Sequence, residues 1–177
     1  MSALVRGRSE VASREALILH TLLNHPWLLD AHLEEIAAIR FENRRLEALR
    51  DAMLNLMSGD KPLDSEAFRT QLNHSESGAV VAQVERAITH KSDWFAEPGA
   101  AQSDVETGWR HILALHRKSV ELGRELEAAR QAFQDEGSDA ALERLNAIRG
   151  QLSDLDGMEA SIEGYGADSG RPADRLS

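Results

Sequence analysis

The chain predicts an all-α fold: a helical bundle of about five to six helices, then a C-terminal helical hairpin sharing one long helix with it. Three observations carry that expectation. The 177 residues are rich in Ala, Leu, Glu and Arg and hold only 5% aromatics, a mix that favours helix over sheet. Apolar residues recur at three- and four-residue spacing from Ala16 onward. A helical pattern without proline runs from Ser103 to about Gln134. With 42% hydrophobic residues, the chain can build a real core.

Residues 1–10 are polar, and a flexible N-terminus is expected there. Helix one spans Ser13 to Asn24, with Ser13 as its cap, and its apolar arc is wide enough for burial on most sides. Asn24-His25-Pro26 stops it, because proline lacks the N–H and clashes with the preceding turn. Proline suits the first position of a new helix, so helix two follows at once, from Pro26 to Ile39, with Leu29, Leu33 and Ile36 inward. Helix three covers Glu42 to Ser58, carries Leu46, Leu49, Met53, Leu56 and Met57, and ends on Gly59 as a left-handed cap.

After a linker at Lys61-Pro62-Leu63-Asp64, Asp64 or Ser65 caps a short helix with Phe68 and Leu72. A turn over Asn73 to Gly78 leads to a helix with Val80, Val81, Val84, Ala87 and Ile88. The stretch 91–102 reads as an ordered loop whose aromatics, Trp94 and Phe95, plug the bundle. Ser103 and Glu106 have capping-box spacing at the start of the long helix. At ~1.5 Å per residue that helix is roughly 45 Å long, more than a small bundle needs. Val105, Trp109, Ile112 and Leu113 face a core in its first half.

In its second half Leu122, Leu126, Ala129 and Phe133 form a heptad-like seam. Gly137 ends it, and Ser138 or Asp139 opens a last helix with Leu142, Leu145, Ile148, Leu152 and Leu155. Together these make a hairpin expected to project from the bundle, with Gly123 as a candidate hinge. The tail from Gly157 loses all periodicity, and disorder is expected over 157–177.

The formal net charge of −10 repels phosphate backbones, so no direct nucleic-acid partner is expected. No apolar run approaches the ~20 residues that span a bilayer, and no secretory leader is read at Met1 to Glu10; a cytoplasmic location is expected. Without cysteine there is no thiol nucleophile or cysteine metal site. Histidines lack metal-ligand spacing: His111 and His116 do not share a helix face, and His20, His25 and His32 straddle a helix break. His116 with Lys118 and Ser119 loosely matches a phosphotransfer helix, but Arg117 and Lys118 are equally placed to pair with Glu121 and Glu125. Gly164 to Gly170 has the glycines of a phosphate loop without the strand and helix that such a loop needs. The expectation is a non-catalytic chain with no metal and no cofactor, whose apolar hairpin edges hold another protein.

Two stretches carry a resemblance. Arg14-Glu-Ala-Leu-Ile-Leu-His-Thr-Leu-Leu-Asn-His-Pro-Trp-Leu-Leu29 and Asp104-Val-Glu-Thr-Gly-Trp-Arg-His-Ile-Leu-Ala-Leu-His-Arg-Lys118, with the hairpin behind them, resemble the C-terminal helicase-interaction domain of bacterial DNA primase, alphaproteobacterial type. The N-terminal domain of replicative helicases shares the helix break; the long helix with its hairpin and Trp109 favour primase. The resemblance implies a bundle over 11–117 and a hairpin over 118–156 that docks on the helicase. By position it implies Arg144, Ile148, Arg149 and Leu152 as helicase contacts; the heptad spacing separately places Leu122, Leu126 and Phe133 in a hairpin seam against Leu145, Ile148 and Leu152. The zinc-binding and polymerase domains of that family have no counterpart here. In some relatives the domain also takes the acidic tail of single-stranded-DNA-binding protein through basic residues near the first helix, where this chain offers Arg14.

Overall fold

The computed structural model describes residues 12–61, 63–88 and 94–158. Among them are eight α-helices, one 3-10 turn and no strand, so the fold is all-α. The helices are α1 (Ser13–Asn24), α2 (Trp27–Ala31), α3 (Leu33–Ala37), α4 (Arg44–Met57), α5 (Ser65–His74), α6 (Gly78–Ala87), α7 (Gln102–Glu136) and α8 (Asp139–Met158). The 3-10 turn is Trp94–Ala96. The chain divides into two compact units, and the boundary falls between Trp109 and Arg110, inside α7 and ahead of residue 117. The expected flexible residues 1–10 and all of the expected tail beyond Met158 lie outside the described residues; Gly157 and Met158 still belong to α8.

In the first unit α1 is the central element, packed against α2, α4, α5, α6 and the 3-10 turn. Its wide apolar arc explains this. Ala16, Leu17, Ile18, Leu19, Leu22 and Leu23 are all buried, and Thr21 satisfies its buried hydroxyl by donating to the Leu17 carbonyl at 2.7 Å. The helix starts from Ala12, whose carbonyl accepts from the Ala16 N–H at 2.9 Å, so Ser13 is the first helical residue and not the cap. At the other end His25 adopts φ −131°, ψ 67°, away from the helical region as a residue before proline must be, and Pro26 opens α2.

The stretch predicted as one helix from Pro26 to Ile39 is two short helices, α2 and α3, separated at His32 (φ −127°, ψ 33°). The His32 side chain is drawn off to Glu106 of α7. α7 begins at Gln102, with the Val105 N–H bonded to the Ala101 carbonyl at 3.0 Å, so Ser103 lies within its first turn, and Glu106 also meets His32. α4 is capped by Asn43, which accepts from the Arg45 N–H at 2.9 Å, and buries Leu46, Leu49 and Met53. Gly59 is not a left-handed cap. α4 ends at Ser58 in right-handed helical geometry, and among the described residues the one positive φ is that of Gly137, at 59°.

Asp64 caps α5 as expected, accepting from the Ala67 N–H at 2.8 Å. The turn into α6 is tight: a Cβ on Gly78 would sit 2.5 Å from the Asn73 carbonyl oxygen. Of the two loop aromatics, Phe95 is buried in the bundle, while Trp94 is 36% exposed. Trp109 is fully buried.

In the second unit the C-terminal part of α7 and α8 share one core. It comprises Leu115, Leu122, Ala129, Leu145, Ile148 and Leu155, with Leu126, Phe133 and Leu152 packed against it. Ser138 caps α8, its Oγ accepting from the Ala141 N–H at 3.2 Å.

Candidate protein-interaction surface

Among the described residues no three His, Cys, Asp or Glu side chains are grouped to hold a metal ion. His90 and the glycines at 164–170 lie outside the described residues. A phosphoacceptor histidine must be reached by its donor protein, and His116 is only 5% exposed, so the phosphotransfer arrangement fails on access. Lys118 pairs with Glu121 at 3.6 Å across one helical turn instead.

The histidines of the helix break form a polar junction inside the first unit, which sequence reasoning missed. The Asn24 side-chain amide donates to the Ala96 carbonyl at 2.8 Å and lies 3.1 Å from Nε2 of His20. Arg69 of α5 donates to Asn24 Oδ1 and also pairs with Glu85 of α6. His25 Nε2 donates to the Glu97 carbonyl at 2.9 Å. Burial holds both His20 and His25 below the ordinary histidine value of 6.5. The partners come from α5, α6 and the 94–97 segment, and no local spacing announces them. The junction ties the end of α1 to two remote segments, which is a structural task.

The second unit carries the predicted contact residues. Along α8, Ala141, Leu145, Ile148, Leu152 and Leu155 alternate four- and three-residue steps, the spacing of a coiled-coil seam. Phe133 and Ala141, Ala129 and Leu145, Leu126 and Ile148, and Leu122 and Leu152 lie at equal sequence distances on either side of Gly137. That is the register of an antiparallel pair turning on that glycine. All four seam residues read from the heptad spacing, Leu122, Leu126, Phe133 and Leu145, belong to this core or pack on it.

The four named contacts do not behave alike. Ile148 is 5% exposed and Leu152 packs on the same core, so both face α7 and neither presents an open surface. Position along α8 could not separate seam from surface; the heptad register does. Arg144 and Arg149 are exposed and form no ion pair among the described residues. Five residues apart, they are roughly 140° apart around the helix, one on each flank of the seam. Leu142, 38% exposed, lies seven residues before Arg149 and so on the same flank. The surface α8 offers is therefore two separate cationic flanks, one with an apolar residue beside it. Such a surface can take a charged or amphipathic partner helix along one side.

Among the described residues no helix is long and apolar enough to cross a membrane. No protein-family model matches the chain, and no curated protein or solved structure is significantly similar to it.

Proposed function

We propose that this chain is the helicase-interaction domain of a bacterial DNA primase, a non-catalytic module that binds the N-terminal domain of the hexameric replicative helicase. The observation that supports the reading is the division of the chain inside α7. One helix of 35 residues serves a bundle built around α1 and then a two-helix unit with a seam of its own. A bundle followed by a hairpin on a shared helix is the architecture implied by the resemblance of residues 14–29 and 104–118. The hairpin core is small, and its flanks keep Arg144, Arg149 and Leu142 facing water.

The mechanism is tethering. Once the hairpin is seated on the helicase, a linked polymerase domain works at an effective concentration set by the linker, on the order of millimolar for a short flexible one. Frequent priming then needs no strong intrinsic affinity for template, which suits a module with a net charge of −10. No cofactor enters this function. The acidic tail of single-stranded-DNA-binding protein would be a second partner, near Arg14, and cytoplasmic residence follows from the same reading.

Size-exclusion chromatography with light scattering tests it. The free chain is expected to run as a monomer and to co-elute with the helicase N-terminal domain at micromolar concentrations. A folded chain that elutes alone overturns the proposal. A chain that forms dimers or rings by itself points to a helicase N-terminal domain instead.

A further inference from the structure

The hydrogen bonds around Asn24 fix which atom of His20 carries its proton. An arginine can only donate and a carbonyl can only accept, so Arg69 and the Ala96 carbonyl settle the orientation of the Asn24 amide: Oδ1 toward Arg69, Nδ2 toward Ala96. The Nδ2 group therefore also donates to His20 Nε2, 3.1 Å away, and Nε2 must be the bare nitrogen. The proton sits on Nδ1, a buried atom with no hydrogen-bond partner in the structure. A proton added at Nε2 would set one N–H donor against another and leave one of the two Asn24 amide hydrogens without an acceptor, the Ala96 carbonyl still facing the other.

The geometry points to a proton-sensitive latch: the Arg69–Asn24–His20 relay holds the end of α1 to the 94–97 segment while His20 is neutral, and protonation of His20 releases it. The groups facing His20 are Arg69 from α5, Glu97 beyond the 3-10 turn and His25 from the α1–α2 turn, with Glu85 of α6 behind Arg69. Arg69 and a charged His25 would both oppose the new charge. Glu97 favours it. Desolvation is the largest influence and keeps His20 neutral at physiological pH, so the latch is closed there and opens on acidification. This inference concerns the bundle alone and stands whether or not the chain binds a helicase.

Nitrogen-15 NMR of the full chain tests it in two ways. At pH 7.5 the imidazole shifts are expected to report the Nδ1–H tautomer of His20; the Nε2–H tautomer overturns the latch. Amide exchange gives the second readout at Glu97 and Ala100, whose N–H groups bond to the Trp94 and Glu97 carbonyls. After correction for intrinsic exchange, their protection is expected to fall as pH drops below 6.5, by up to about tenfold per pH unit for one linked proton. His20→Gln keeps an acceptor without titrating and is expected to flatten that fall, leaving only the share due to His25. An equal fall in the variant and the parent overturns the proposal. If the variant does not fold, the tautomer and the parent's own protection decide.

Discussion

Nε2 of His32 lies 3.0 and 3.1 Å from the two carboxylate oxygens of Glu106, tying the break between α2 and α3 to α7. The His32 ring also stands 6.4 Å from that of Trp109, tilted by 37°. Because this tie is partly shielded from water, Glu106→Ala is expected to cost about 1 kcal/mol. Urea unfolding followed by circular dichroism checks it, and an unchanged midpoint would remove His32–Glu106 from the forces holding the bundle.

The same pair explains what could be read from the sequence. Apolar spacing continues through His32, so residues 26–39 read as one helix, and the Glu106 partner that His32 meets at the break sits 74 residues away. Glu106 has the right offset from Ser103 for a capping box, but local spacing cannot reveal that a remote histidine also meets it. Gly59 and Gly137 look alike as glycines behind helices. Only Gly137 needs the left-handed region, because α8 begins at once behind it, whereas a linker follows Gly59. The hairpin seam was legible because heptad spacing is a local signal. The split of the α8 candidates into buried Ile148 and Leu152 and exposed Arg144 and Arg149 becomes visible only once the register about Gly137 is fixed.

Acid sensitivity follows from His25. Burial lowers its pKa in the fold, whereas the unfolded chain takes up a proton near 6.5. Its contribution to stability is therefore intact above 6.5 and is lost as pH falls from there through the folded-state value. Unfolding free energies at pH 7.5 and 5.5 are expected to differ in that sense, and His25→Gln is expected to narrow the gap.

Glu15 has the opposite sign. Burial raises its pKa above 4.5, although the carboxylate accepts from the Glu42 N–H at 2.7 Å. Its contribution is present below 4.5 and is lost as pH rises through the folded-state value, so at neutral pH an ionised carboxylate is held unfavourably. Glu15→Gln keeps the acceptor and removes the charge. It is expected to raise stability at pH 7 and to lose that advantage near pH 4, as denaturant midpoints at both pH values would report.

Two glycines of the second unit make a contrasting pair. A Cβ at Gly123 meets nothing within 4 Å, so Gly123→Ala in the exposed middle of α7 is expected to stabilise by about 1 kcal/mol. Gly137 has φ 59°, and Gly137→Ala is expected to destabilise by about 1 kcal/mol despite equally open space. Thermal melts of the two variants should move in opposite directions.

Calorimetric titration of the helicase N-terminal domain with the full chain, its Arg144→Glu variant and its Arg149→Glu variant probes the tethering account most directly. The parent is expected to bind with Kd on the order of micromolar, about −8 kcal/mol. The two arginines flank the seam on opposite sides, so a partner helix along one flank should be weakened about tenfold or more by one reversal and little by the other, with melting temperatures unchanged. A folded parent chain that gives no binding heat and no co-elution would contradict the account.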